Sequence, residues 1–169
     1  MVAAGKAAWQ MANTAAEILG DRMEAGVAVT KYDHVKGPIP GMKCFEAGHP
    51  VPDANSFAGT QAALELVENL REEDTVLFLL SGGGSALFEH PLIPAQELLA
   101  LTEEMLSCGA DIVEINAVRK RMSAVKGGKF ASLCAPAKVF CVALSDVLGD
   151  RADAIASGPA CPDTSTCEE

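Results

Sequence analysis

Four clusters of residue types in this chain could do chemistry, and each ends an apolar run or opens or lines a helix. The run Val139–Phe140–Cys141–Val142–Ala143–Leu144 breaks into Ser145–Asp146–Val147–Leu148–Gly149–Asp150. It reads as a buried parallel strand closing in an acid–glycine–acid turn, at the sheet edge where α/β proteins place ligands. Asp146 and Asp150 there suit a divalent metal, and through it a phosphate, better than they suit packing. A second run, Val76–Leu77–Phe78–Leu79–Leu80, ends in Ser81–Gly82–Gly83–Gly84–Ser85. Glycines let backbone amides face an anion, and the two serine hydroxyls can add donors. A tight strand-to-helix turn explains the same residues without a ligand.

The third cluster holds five of the thirteen basic residues of an acidic chain: Arg119, Lys120, Arg121, Lys126 and Lys129. Asn116, Arg119 and Ser123 share one helical face, from which a guanidinium could clamp phosphate or carboxylate. A solvated basic face is the alternative, with Lys120 and Arg121 its natural members. The fourth is Lys6, just before a helix, where a cation does nothing for the helix dipole and could meet a phosphate; the plain alternative is a surface lysine. His49, between Gly48 and Pro50, is equally a ligand, a proton carrier or a loop residue.

The elements needed to position these groups are legible in outline. Lys6 to Leu19 predicts a helix closed by Gly20, and 26–30 a short strand. Cys44 and Phe45 lead an extended piece into the proline-rich segment 48–52. Asp53 or a polar residue just after it caps a helix carrying Phe57, Leu64, Val67 and Leu70. Segments 94–107 and 111–123 predict helices, and 138–144 a final strand. Alternation of this kind predicts an α/β fold: a Rossmann-like three-layer sandwich around a mainly parallel sheet. The chain opens with almost no strand before Gly5–Lys6 and closes on what looks like the start of another element. It therefore reads as one α/β domain, residues 1–169, truncated at both ends.

Bulk properties remove several classes of function. A net charge of −10 argues against a nucleic-acid binder, and no apolar run is long enough for a membrane helix. Hydrophobic content of 49% fits a well-buried domain. None of the six cysteines forms a CxxC pair, so free thiols in a reducing cytoplasm are expected, with Cys141 a small buried thiol. The glycine turn is no Walker loop, since no Gly–Lys–Ser/Thr follows. Leu87 at the third glycine position spoils a dinucleotide fingerprint. The remaining inventory suits phosphoryl transfer.

Taken in order, Gly5–Lys6–Ala7, Gly48–His49–Pro50–Val51–Pro52–Asp53, Ser81–Gly82–Gly83–Gly84–Ser85–Ala86–Leu87 and Asn116–Ala117–Val118–Arg119–Lys120 resemble the glycerate 2-kinase family. So do Ser123 with Lys126–Gly127–Gly128, Ser145–Asp146–Val147 with Gly149–Asp150, Ser157–Gly158–Pro159 and Pro162–Asp163. The resemblance implies ATP-dependent phosphorylation of D-glycerate, usually to 2-phosphoglycerate, with magnesium. It implies most of the N-terminal domain of a two-domain enzyme, with the second, MOFRL-type domain absent from the chain. Lys6 would stabilise the transferred phosphoryl. Ser81, Gly82, Gly83, Gly84 and Ser85, with Asn116, would hold phosphate or substrate. Arg119 and Lys126 would add positive charge, and Asp146, with Asp150, would hold magnesium or take the hydroxyl proton. Ala4 departs from a glycine common before Gly–Lys. The resemblance leaves room for a homodimer. Relatives have often been labelled hydroxypyruvate reductases, so an NAD(P)H-dependent reductase is the named alternative, and a non-catalytic remnant the other.

Overall fold

Seven apolar or small residues, Val2, Ala3, Ala4, Ala28, Val29, Phe78 and Leu80, are almost wholly buried, and their parity along each strand sorts them onto two faces. The structure is a computed structural model and describes residues 1–145 and 152–166. Five strands, β1 (Val2–Ala4), β2 (Gly26–Lys31), β3 (Met42–Ala47), β4 (Thr75–Ser81) and β5 (Lys138–Leu144), form one sheet in the order β3-β2-β1-β4-β5. Every pairing is parallel. Because successive side chains alternate, Val2, Ala4, Val27, Val29, Phe78 and Leu80 meet one helical layer, and Ala3, Ala28 and Leu79 meet the other. A sheet with both faces covered and all strands parallel is the expected three-layer sandwich.

On the second face lies α1 (Ala8–Leu19), packed through Ala8 and Ala12, with Trp9 beside them. Small residues let the helix approach closely, and the Trp9 indole donates to the Gly37 carbonyl at 2.9 Å. The other face carries α2 (Ala54–Val67) together with two short helices, α3 (Gly84–Leu87) and α6 (Lys129–Leu133). Asp53 caps α2 as expected. Its carboxylate accepts from the Asn55 and Ser56 amides, both at 3.0 Å, and Ser56 Oγ accepts from the Asp53 amide, a reciprocal capping box. Phe78, Phe88 and Phe130 pack as a triangle with centroids 4.7–5.4 Å apart. This ties β4, the segment after α3, and α6 into one core. Helices α4 (Ala95–Ser107) and α5 (Ile112–Met122) follow, and Leu92 and Ala124 amide bonds to Met122 and His90 carbonyls fasten the end of α5 to segment 90–92.

Three expectations change. Val2–Ala4 is a strand, and it is the central one, flanked by β2 and β4. The first helix starts at Ala8 rather than Lys6, because residues 5–7 are spent on the turn. β5 is not buried. Among the described residues it ends the strand order and pairs with β4, so Phe140, Val142 and Leu144 stand 52–58% exposed and Cys141 is exposed too. Among the described residues the buried thiol is Cys134, its pKa pushed up to about 11 by burial.

Candidate active site

Strand order reverses between β1 and β4, so the chain leaves their carboxyl ends in opposite directions and opens a crevice there. Gly5–Lys6 stands on one lip and Ser81–Gly82–Gly83–Gly84–Ser85 on the other. Backbone bonds stitch the lips together. The Lys6 amide donates to the Gly82 carbonyl at 2.9 Å, and the Ala7 amide donates to Ser81 Oγ at 3.0 Å. Gly5 has φ 123, and a Cβ there would collide with Ser81 Oγ and the Ser81 carbonyl. Only glycine meets both demands. Thr30 Oγ1, from the end of β2, donates to the Lys6 carbonyl at 3.3 Å.

Above this seam the Lys6 side chain is exposed and lies beside His49. A Cβ on Gly83, which has φ 87, would come within 2.8 Å of His49 Cδ2 and 3.3 Å of Lys6 Cγ. The glycine turn, Lys6 and His49 therefore make one surface. Burial first, then the charges of Lys6 and Lys31, hold His49 below the ordinary histidine pKa. Within an acidic chain, the crevice gathers positive charge.

Behind the turn, Ser157 is wholly buried and joins three segments. Its hydroxyl donates to Asn116 Oδ1 at 2.9 Å, and Ser85 Oγ lies 3.1 Å from it. Its carbonyl accepts from the Gly127 amide at 3.1 Å. Ala156 and Ser157 both take left-handed backbone angles, φ 53 and φ 60. For non-glycine residues this costs about 1–2 kcal/mol each. Ala156 presses on Gly84, where a Cβ would meet Ala156 Cβ at 2.6 Å. The structure thus brings the Ser81–Gly82–Gly83–Gly84–Ser85 turn beside Lys6, and places Asn116 behind that turn, on Ser157.

Lys126 is placed differently. Its side chain is fully buried, 2.7 Å from Glu89 Oε2, and donates to the Phe88 carbonyl at 3.0 Å. Burial lowers its pKa, and the Glu89 charge works against that. It braces the chain behind α3 instead of facing a ligand, because a buried ammonium needs a buried partner. Arg119 is half-buried close by. Burial lowers its pKa while Glu89 supports the charged form. Lys120 and Arg121 do not form a solvated face either: both reach Asp163, at 3.3 Å and 3.4 Å. Asp146 and Asp150 lie outside the described residues. Among the described residues, no group of three or more His, Cys, Asp or Glu is placed to hold a metal.

Glu89, Ser157 and Asp163 were not singled out in sequence as partners. Each binds a residue far along the chain, and no local pattern marks an acid or hydroxyl for such a pairing. The crevice offers an exposed ammonium beside a glycine turn, which together can stabilise developing negative charge.

Residues 1–169 match the family described as Domain of unknown function (DUF4147). The chain belongs to that family. Over its whole length this DUF4147 chain is 58% identical to a D-glycerate 2-kinase of Thermotoga maritima, and 46% identical to a glycerate 2-kinase of Pyrococcus horikoshii. It spans 41% and 38% of those two proteins. A crystal structure of the glycerate kinase of Thermotoga maritima superposes with a TM-score of 0.95 at 59% identity, over 99% of this chain and 41% of that one. The family resemblance read from the ordered motifs is met, and so is the fold class.

Proposed function

We propose that the full-length protein phosphorylates D-glycerate with ATP, giving 2-phosphoglycerate, and that this DUF4147 chain is most of its N-terminal domain. The observation that carries the reading is Lys6, exposed at the β1/β4 crevice and held there through Gly82 and Ser81. The similarity to glycerate 2-kinases over the whole chain supports the substrate.

In this reaction a glycerate hydroxyl oxygen forms a bond to the γ-phosphorus, and the bond from that phosphorus to the bridging oxygen breaks, releasing ADP. Charge spreads over the transferred group as it moves. The Lys6 ammonium meets that charge across a crevice walled by low-dielectric core. The glycine turn offers backbone amides to phosphate or to the substrate carboxylate, and Arg119 adds a guanidinium from α5. The hydroxyl proton needs an acceptor, and Asp146 is the candidate. Magnesium, when bound, would screen the phosphates, with Asp150 and, in place of the proton-acceptor role, Asp146 as its ligands. A second domain, of the MOFRL type, would close the cleft. The setting is the cytoplasm, which suits the free thiols Cys44, Cys108, Cys134, Cys141 and Cys161. A homodimer belongs to the same reading and is tested by light scattering.

The experiment is to incubate the full-length protein with D-glycerate, ATP and magnesium and follow phosphorus NMR. A phosphoglycerate signal is expected, and its shift and coupling identify the modified hydroxyl. Absence of that signal, with NADH or NADPH oxidised in the presence of hydroxypyruvate, would replace the kinase by the reductase.

A further inference from the structure

The hydroxyls behind the glycine turn form a chain whose direction follows from what each atom is able to do. Asn116 Oδ1 has no proton, so at 2.9 Å it accepts the only hydroxyl proton of Ser157. Ser157 Oγ, its proton spent, can only accept from Ser85 Oγ at 3.1 Å. The Ser85 proton is thus committed inward as well, and what Ser85 offers outward is lone pairs. This reverses the expectation that both serines of the turn add donors for an anion. Ser81 differs, since its oxygen is used by the Ala7 amide at 3.0 Å and its proton is not thereby spent.

The arrangement is built rather than incidental. Ser157 is 0% exposed and Asn116 7% exposed, so neither exchanges its partner readily for water. Ser157 holds its place at φ 60, next to Ala156 at φ 53, a backbone that non-glycine residues avoid. Ser85 is only half-buried and sits on the lip that faces Lys6. An oxygen that can accept but not donate repels phosphate and carboxylate oxygens and attracts a hydroxyl.

We propose that Ser85 determines specificity by accepting a hydrogen bond from a substrate hydroxyl, with Ser157 and Asn116 as positioning residues that fix its direction. The inference rests on glycerate being the substrate. It divides the crevice into an anion-holding part, Lys6 and the glycine amides, and a hydroxyl-reading part at Ser85.

The test uses the full-length enzyme and two competitive inhibitors: D-lactate, which keeps the 2-hydroxyl, and 3-hydroxypropanoate, which keeps the 3-hydroxyl. Ser85→Ala is expected to raise KM for D-glycerate about 3- to 10-fold, the size of one lost neutral hydrogen bond. It should weaken one inhibitor similarly and the other less than about twofold, naming the hydroxyl that is read. Ser157→Gly, which suits the left-handed backbone, should reproduce that pattern alone and add nothing in a Ser85→Ala background. If Ser157→Gly does not fold, Asn116→Ala replaces it, since it returns the proton to Ser157. Equal weakening of both inhibitors, a change confined to ATP, or losses from Ser85 and Ser157 that simply add would overturn the proposal. An enzyme that makes no phosphoglycerate before any substitution overturns the kinase reading instead, and this one with it.

Discussion

Lys6 and Lys126 are both lysines of the ordered motifs, and their surroundings differ in every respect that matters. Lys6 is exposed, its side chain against Gly83 and His49, while its backbone is pinned to Gly82 and carries the positioning. Lys126 is 0% exposed, with its ammonium on Glu89 and the Phe88 carbonyl. The first cation is placed by its main chain and left chemically available. The second is placed by its side chain and consumed by packing. Position next to a glycine turn is therefore no guide to role; the partner of the charged atom decides it.

The sharpest way to break this contrast is at Lys126. Lys126→Met leaves Glu89 buried without its cation, and removing one partner of such a pair costs about 3–5 kcal/mol. A large fall in urea midpoint is expected; an unchanged midpoint would show that Lys126 does not brace the fold. Next in size is Gly84→Ala. Its backbone angles suit alanine, but a methyl there overlaps Ala156 Cβ at 2.6 Å. Overpacking of this kind costs about 1–3 kcal/mol. Because Ala156 adjoins Ser157, KM for D-glycerate should rise as stability falls. Asp53→Ala, at the cap of α2, should cost about 1 kcal/mol of stability, read as a small fall in urea midpoint.

The smallest effect concerns His49. Its pKa is held below the ordinary 6.5 by burial and by Lys6 and Lys31. As pH falls through 6.5 the unfolded chain takes up the proton first, so the His49 contribution to stability declines with falling pH until the folded pKa is passed. An NMR titration should place the ring below 6.5, and in Lys6→Ala it should move upward. A ring unmoved by that substitution would separate the two residues.

What could be read from the residues alone followed the range of the interaction. Asp53 as a cap and Val76–Leu80 as a strand rest on neighbours within a few positions, and both stand. The turns at the strand ends were legible because glycine accepts the positive φ that Gly5 and Gly83 adopt there. The central strand Val2–Ala4 was missed, since three small residues carry no period. An apolar run such as Val139–Leu144 tells that a strand forms but not where it lies in the sheet, and β5 proves to be at the edge. The Glu89–Lys126 pair and the Ser85–Ser157–Asn116 chain join residues distant in sequence, and only the folded core selects them.

The most direct test of the account is the kinetics of Lys6→Ala in the full-length enzyme, with thermal unfolding measured alongside. A cation that acts on charge developing in the transition state affects kcat more than KM. The account predicts a fall in kcat of about a hundredfold or more, with little change in KM or melting temperature. Normal turnover, or a rise in KM alone, would contradict it and leave Lys6 a surface lysine or a ground-state binder.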